Sequence, residues 1–126
     1  AILLTREGKG AESAGACLMA IRDGVVITPT ITGSILESVT RSTLIELCET
    51  ELNLEVQQRE IDRTELYLCE EVFLCGSGYE VTPIVNIDGF SIGDGKVGAK
   101  SRALFETYDA ATRGRLSQYT HWLTAV

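Results

Sequence analysis

The sequence predicts an α/β domain in which helices pack on strands of mixed orientation. Short apolar segments of strand length are separated by glycine-containing turn dipeptides. Residues 38–51 and 98–113 instead show the apolar spacing of helices. The length of 126 residues is that of one ordinary domain, so we expect residues 1–126 to form a single domain.

The first third of the chain predicts a small antiparallel unit. Residues 2–5 predict a short strand, and residues 6–10 a turn, because two glycines bracket charged residues. Residues 16–22 and 25–28 predict a hairpin that turns at Asp23-Gly24.

The middle of the chain alternates helices and strands. Residues 38–51 predict the best helix, and residues 54–58 predict a strand. Apolar residues at helical spacing in the first of these are Val39, Leu44, Ile45, Leu47 and Cys48. Asp62 and Glu65 have the spacing of a capping box, which predicts a short helix to about Cys69.

The last half predicts two further strands and a helix. Residues 71–74 predict a strand that ends in a turn at 75–78, and residues 79–87 predict a second strand before the Asp88-Gly89 turn. The final helix, residues 98–113, is expected to place Leu104, Phe105 and Tyr108 on one side.

Composition and charge disfavour several classes of partner. Eleven Lys and Arg against 18 Asp and Glu give a net charge of -7, which disfavours nucleic acid. No apolar run is long enough to span a bilayer, so we expect no membrane partner. The four cysteines form no C-x-x-C pair and His121 is the single histidine, so we expect no metal site. The cysteines are typical of the reduced core of a cytoplasmic protein.

Hydroxyl side chains cluster at the start of the helix predicted over residues 38–51. They are Ser34, Ser38, Thr40, Ser42 and Thr43. Capping needs one hydroxyl, with Ser38 at the N-cap. The unpaired amides of Val39 and Thr40, together with the helix dipole, favour a phosphate there. Plain capping remains the alternative.

Two shorter segments are also candidates for binding. Residues 75–78, CGSG, expose amides and a hydroxyl with little steric cover, as an anion-binding turn or an ordinary turn would. Residues 10–15 place Glu12 among small residues between two predicted strands, where a ligand can approach closely. The alternative is a solvated Glu in a flexible loop. Residues 93–98 match G-x-G-x-x-G, but one helix and a tail cannot complete the βαβ unit of a dinucleotide site.

Several motifs together resemble one known family. GAESAGACL, RDGVVITP, ILESVTR and EIDRTELYLCEEVFLCGSGYEVTPI follow in the order seen in the C-terminal domain of branched-chain amino acid aminotransferases. These are fold-type IV enzymes that use pyridoxal 5′-phosphate (PLP). The resemblance implies a mixed-strand sheet or pseudo-barrel with helices, and transfer of an amino group between Leu, Ile or Val and 2-oxoglutarate. It also implies small-molecule substrates and a homo-oligomer.

The resemblance assigns roles to individual residues. It matches Glu12 with the partner of the pyridine nitrogen, Leu36 with a residue against the ring, and Val39 and Thr40 with phosphate ligands. Ser77 matches a second phosphate ligand, and Gly78 an amide facing the substrate carboxylate. The cofactor-binding set is therefore Glu12, Leu36, Ser38, Val39, Thr40, Gly76 and Ser77. Arg41 and Tyr67 are interpreted as structural.

The sequence also departs from the family pattern. Ser38 replaces a usual Gly, and Gly78-Tyr79 replaces two Ala. None of the lysines (Lys9, Lys96 and Lys100) occupies the position of the family's Schiff-base lysine. We therefore expect the family's N-terminal domain to be absent and this chain alone to be inactive. The alternative is a non-catalytic, stand-alone binding or assembly module.

Overall fold

The fold of the computed structural model combines ten strands with two α-helices and one 3₁₀ helix in its described residues, which are 2–4, 9–13, 16–30, 39–76 and 80–113. The strands are β1 (Leu3–Leu4), β2 (Lys9–Ser13), β3 (Ala16–Arg22), β4 (Val25–Thr28), β5 (Val56–Gln58), β6 (Ile61–Asp62), β7 (Glu71–Gly76), β8 (Glu80–Ile84), β9 (Asn86–Ile87) and β10 (Phe90–Ser91). The helices are α1 (Val39–Thr50), the 3₁₀ helix (Arg63–Leu68) and α2 (Ala99–Thr112).

Strand β3 is the centre of the main sheet. One edge of β3 pairs with β7; the other pairs with β2 at the start of β3 and with β4 at its end. Beyond these neighbours, β1 and β6 pair with β2, β5 with β4, and β8 with β7. The β4–β5 pair is parallel and the other pairs are antiparallel. The prediction of a mixed-strand sheet with helices is confirmed, and the described strands do not close into a barrel.

The apolar run of β3 is buried on both faces of the sheet. Cys17, Met19 and Ile21 join a core cluster with side chains of α1 and α2. The alternate residues Leu18 and Ala20 join a second cluster on the opposite face. A near-continuous apolar strand is typical of a sheet covered on both sides. The helices α1 and α2 therefore lie on one face of the sheet, and Leu66 of the 3₁₀ helix packs on the other.

The hairpin between β3 and β4 turns at the predicted dipeptide. Asp23 and Gly24 have φ angles of 52° and 77°, the left-handed pair of a type I′ turn. The carboxylate of Glu70 accepts hydrogen bonds from both of their amides, at 2.7 and 3.3 Å. The turn prediction and both strand boundaries are confirmed.

Both predicted α-helices are present, with small changes in their apolar faces. Leu44 and Leu47 of α1 are fully buried, but Val39 is 84% exposed because it lies about 140° around the helix from Leu44. In α2, Leu104 is buried and Phe105 is exposed, since successive residues do not share a helix face. The predicted placement of Val39 and Phe105 with the apolar faces was wrong.

The structure corrects the prediction of a turn over residues 6–10 and a loop over residues 10–15. Lys9 and Gly10 already belong to β2, which continues through Glu12 to Ser13. The backbone of Glu12 is paired with Leu3 on one side and with Cys17 on the other. Pairing with β1, β3 and β6 thus forms a strand from small residues whose local signals predict a turn and a loop.

The capping box at Asp62 and Glu65 is not formed. The 3₁₀ helix begins immediately after Asp62, as predicted, but Asp62 makes no side-chain capping hydrogen bond. The Glu65 carboxylate instead accepts hydrogen bonds from Arg59, at 2.7 and 2.8 Å, and from Arg22, at 2.6 Å. Charged partners therefore compete successfully with the helix amides for this carboxylate.

Strand β7 is longer than predicted, and the following strand is divided. Cys75 and Gly76 continue β7 and pair with β8, so they are not in a turn, while 77–79 lie outside the described residues. The predicted strand over residues 79–87 is interrupted at Val85, whose carbonyl accepts a hydrogen bond from the Ile92 amide. The tail from residue 114 onward also lies outside the described part.

Candidate functional site

The first turn of α1 is the part of the candidate site that the structure describes best. Its residue Val39 is exposed, and Thr40 beside it is 4% exposed. The first amides of a helix lack intrahelical partners and lie at the positive end of its dipole. This turn therefore has the groups needed to bind an anion.

Packing of α1 on the sheet fixes the position of that turn. Leu44, Leu47 and Cys48 follow the spacing of one helix face, and all three are fully buried in the core cluster. That cluster also contains Phe73 and Cys75 of β7. The helix is thus held against the same strand that carries Gly76.

Arg41 connects the first turn of α1 to two strands. Its Nη2 donates to the carbonyl of Pro29 at 2.8 Å and to Oε1 of Gln58 at 3.2 Å. Its Nε donates to the Thr28 hydroxyl at 3.4 Å, and that hydroxyl donates to the Leu18 carbonyl at 2.9 Å. The guanidinium therefore joins α1 to the carboxyl ends of β4 and β5.

Glu12, Cys17 and Cys75 form a row of paired residues across three strands of the sheet. Glu12 of β2 is paired with Cys17 of β3, and Cys17 is paired with Cys75 of β7. Neighbouring strands are about 4.8 Å apart, so the backbones of Glu12 and Cys75 are about 10 Å apart. Gly76 follows Cys75 at the end of β7, and Leu18 follows Cys17.

The carboxyl ends of four strands therefore meet at one end of the sheet. These strands are β2, β4, β5 and β7, because β3 is antiparallel to three of them and β5 is parallel to β4. The first turn of α1 reaches the same end through Arg41. The backbone of Glu12, Gly76 and the first turn of α1 thus lie at the same end of the sheet.

The thiols of Cys17 and Cys75 in this row are buried. A hydrogen bond with Cys17, followed by burial, raises the pKa of the Cys75 thiol. Both cysteines are free of disulfide bonds and buried. A protonated, buried thiol is a weak nucleophile, so these side chains pack beneath the site rather than react in it.

Four of the predicted site residues lie outside the described part of the chain. They are Leu36, Ser38, Ser77 and Gly78. The side chain of Glu12 is also not described, although its backbone position in β2 is. The roles of these residues remain predictions.

Two residues interpreted as structural make clear contacts. The Tyr67 hydroxyl donates to Oδ2 of Asp88 at 2.6 Å, and its ring packs edge-on against Phe90 with centroids 5.5 Å apart. Tyr67 thus fixes the hairpin of β9 and β10.

Arg41 connects more elements than the sequence indicated. Its partners Thr28 and Gln58 lie far from it in the sequence, so these contacts could not be predicted. The one sequence signal for a role of Arg41 at the site is a cationic residue next to the predicted anion-binding residues.

The helix terminus that follows the G-x-G-x-x-G segment binds a carboxylate of the protein itself. Gly98 is the N-cap of α2, and the buried Glu71 accepts hydrogen bonds from the amides of Ser101, at 2.7 Å, and Lys100, at 3.3 Å. A Cβ at Gly98 would overlap the Glu71 side chain. This helix terminus therefore binds Glu71 instead of a phosphate.

A separate half-open cavity of about 550 Å³ lies against the opposite face of the sheet. Its apolar lining includes Leu66, Leu74 and Ile84, which pack in or against the second core cluster. The cavity contains none of the described residues of the predicted site. Its rim carries Arg63 and Asp88.

Comparison with known families decides the family of the chain. The sequence model described as Amino-transferase class IV matches residues 1–87. The chain belongs to the class IV aminotransferase family. No helix in the described part of this class IV chain is long and apolar enough to cross a membrane.

Among the class IV aminotransferases, the chain is similar in sequence to branched-chain-amino-acid aminotransferases. A probable branched-chain-amino-acid aminotransferase of Aquifex aeolicus is 45% identical over 126 residues, which is 100% of this chain and 40% of the relative. The branched-chain-amino-acid aminotransferase of Escherichia coli K12 is 34% identical over 125 residues, covering 99% and 40%. The chain thus spans about two fifths of the length of these relatives.

Solved structures of branched-chain aminotransferases share the fold closely. The enzyme from Thermobaculum terrenum in its PLP form superposes with a TM-score of 0.94 at 46% identity, over 98% of this chain and 40% of that one. The enzyme from the thermophilic archaeon Thermoproteus uzoniensis, solved with norvaline, gives a TM-score of 0.91 at 36% identity, over 98% and 40%. The predicted resemblance to this group is confirmed.

Proposed function

We propose that this chain is the phosphate-holding part of a PLP-dependent branched-chain aminotransferase. The observation that carries the proposal is the first turn of α1, where Thr40 is buried and Val39 exposed at the end of the sheet that also carries Glu12 and Gly76. The backbone amides of Val39 and Thr40 and the Thr40 hydroxyl would hold the phosphate. Gly76 and Ser77 would approach it from the end of β7.

The residues present fit this cofactor chemically. A phosphate needs several hydrogen-bond donors, which a helix N-terminus and a small, open strand end supply. Bound PLP supplies an electron-withdrawing ring to the substrate. Glu12 would hold a proton on the ring nitrogen, which strengthens that withdrawal. Leu36 would pack on the ring, Ser38 would cap α1, and the Gly78 amide would orient the substrate carboxylate.

Amino-group transfer between Leu, Ile or Val and 2-oxoglutarate is the reaction we propose for the protein. It requires an amine that none of the lysines of this chain supplies at the family position. Lys9 lies in β2, Lys100 donates its backbone amide to Glu71, and Lys96 is exposed in the segment before α2. We therefore propose that residues 1–126 bind cofactor but need further polypeptide for catalysis. We also propose a homo-oligomer, following the family resemblance.

A cytoplasmic location is part of the same proposal. Its support is the state of the cysteines at positions 17, 48, 69 and 75, all of which are buried and not in disulfide bonds. Free thiols are typical of proteins from reducing compartments.

The test is binding of PLP and of pyridoxal, which lacks the phosphate, followed by absorbance. The wild-type chain is expected to prefer PLP by at least about tenfold, because hydrogen bonds to a charged group contribute about 1.5–3 kcal/mol each. Thr40→Val keeps the side-chain shape, removes the hydroxyl and should abolish most of that preference. Thr50→Val, at the opposite end of α1, is the matched control and should bind like wild type. Equal binding of PLP and pyridoxal by the wild type would refute the proposal.

A further inference from the structure

Arg41 occupies a position that is unusual for a buried cation. It lies in the first turn of α1, at the positive end of the helix dipole, and is 2% exposed. Both the dipole and the burial disfavour a positive charge there. Its side chain must therefore make contacts that outweigh this cost.

The described contacts of Arg41 all lie at the end of the sheet where the candidate site forms. Nη2 donates to the carbonyl of Pro29, directly after β4, and to the amide oxygen of Gln58, the last residue of β5. Nε donates to the fully buried Thr28. Two strand ends are thus fixed relative to one helical turn by a single planar side chain.

The connection extends to the strand beside Glu12 and Cys75. The Thr28 hydroxyl that accepts from Arg41 donates to the carbonyl of Leu18 in β3. Leu18 follows Cys17, which is paired with both Glu12 and Cys75. A displacement of Arg41 would therefore change the distance between the first turn of α1 and the strand ends that face it.

We propose that Arg41 is a positioning residue, which holds the amides of Val39 and Thr40 at the spacing from Gly76 that a phosphate requires. This inference rests on the proposed function. The guanidinium, one residue from Thr40, also adds positive charge near the phosphate. The proposed role of Arg41 is the other effect, in which its side chain anchors the backbone that carries the phosphate-binding amides.

The test compares variants of Arg41 by equilibrium binding of PLP and pyridoxal to the chain. Arg41→Met is expected to weaken PLP binding by about tenfold, as loss of charged hydrogen bonds does, and to change pyridoxal binding by less than about twofold. Arg41→Lys keeps the charge but not the planar fork, and should recover only part of the loss. An equal loss for both ligands, or no loss in folded variants, would overturn the inference.

A second pair of variants avoids the buried arginine. Gln58→Ala removes one acceptor of Arg41 at the exposed edge of the network and should weaken PLP binding by about threefold. Gln57→Ala, on the same strand without that contact, should leave binding unchanged. If Arg41→Met does not fold, this pair decides: identical PLP binding by both variants would reject the positioning role.

The outcomes separate the two proposals. A wild type that prefers PLP, with Arg41 and Gln58 variants that keep the full preference, would refute the positioning role alone. A wild type without any preference for PLP would refute the phosphate site itself, and the role of Arg41 with it.

Discussion

Glu71, at the start of β7, accepts a hydrogen bond of 2.7 Å from the backbone amide of Ser101 in the first turn of α2. A buried carboxylate on the sheet therefore caps a helix 30 residues later in the chain. Because Gly98 has no Cβ, the Glu71 side chain can lie directly against its backbone. The glycine-rich segment before α2 thus serves packing between helix and sheet.

Loss of the Glu71 carboxylate is expected to destabilise the fold. Glu71→Ala should lower the free energy of unfolding by about 1–3 kcal/mol, because two helix amides lose their acceptor. Urea unfolding followed by circular dichroism measures this. Glu106→Ala, the same change on the exposed surface of α2, should cost less than about 0.5 kcal/mol. Equal stability of the two variants would contradict the capping role.

Gly98→Ala should be harmful for a reason specific to Glu71. The backbone of Gly98 has φ -77°, which alanine adopts readily, so the change alone would stabilise by up to about 1 kcal/mol. The new Cβ would instead displace the Glu71 side chain from the amides. The cost should vanish when Glu71 is already alanine. A double-mutant cycle without coupling between the two sites would disprove this contact.

The ion pairs of Glu65 with Arg59 and Arg22 predict a dependence of stability on pH. Hydrogen bonds from Arg59, with a further one from Arg22, lower the pKa of Glu65 from 4.5 to about 2, although burial opposes them. A lowered pKa in the folded state means stability that is complete above about pH 4.5 and is lost as the pH falls toward 2.

Removal of the Glu65 charge tests that dependence. Glu65→Gln should lower the free energy of unfolding at pH 7 by about 1–2 kcal/mol, a value reduced for the partly exposed arginines. The difference from wild type should shrink between pH 4.5 and 2. Glu60→Gln, at an exposed position nearby, serves as the control. A difference that stays constant down to pH 2 would show that the ion pairs contribute nothing.

The cysteine thiols are expected to be unreactive in the folded chain. Burial raises the pKa of Cys48 to about 12 and that of Cys69 to about 11, and Cys17 and Cys75 are also buried. A thiol reagent such as dithiobis-nitrobenzoate at pH 8 should therefore react with fewer than one thiol per chain until denaturant is added. Rapid reaction of any thiol in the native chain would show that the segment around that thiol opens locally.

The sequence was sufficient for elements whose signals are local. The Asp23-Gly24 turn and the burial of Leu44, Leu47 and Cys48 follow from dipeptide chemistry and helical spacing. Such signals need no knowledge of distant partners. They place Val39 and Thr40 correctly at the start of α1.

Several failures involve partners far away in the chain. Glu65 was predicted to cap its own helix, but Arg22 is 43 residues away and binds it instead. Lys9 and Gly10 were predicted in a turn, but they pair with Asp62 and Ile61 of β6. The anchoring of Arg41 by Thr28 and Gln58 was invisible for the same reason. Long-range pairing decides these positions, and one sequence does not display it.

The most direct test of the central claim is a crystal structure of this chain grown with saturating PLP. We expect the phosphate to be hydrogen-bonded to the backbone amides at Val39 and Thr40, with the pyridine nitrogen directed toward Glu12. Cofactor bound instead in the cavity lined by Leu66, Leu74 and Ile84 would contradict it. So would a first turn of α1 without phosphate in crystals of the saturated protein.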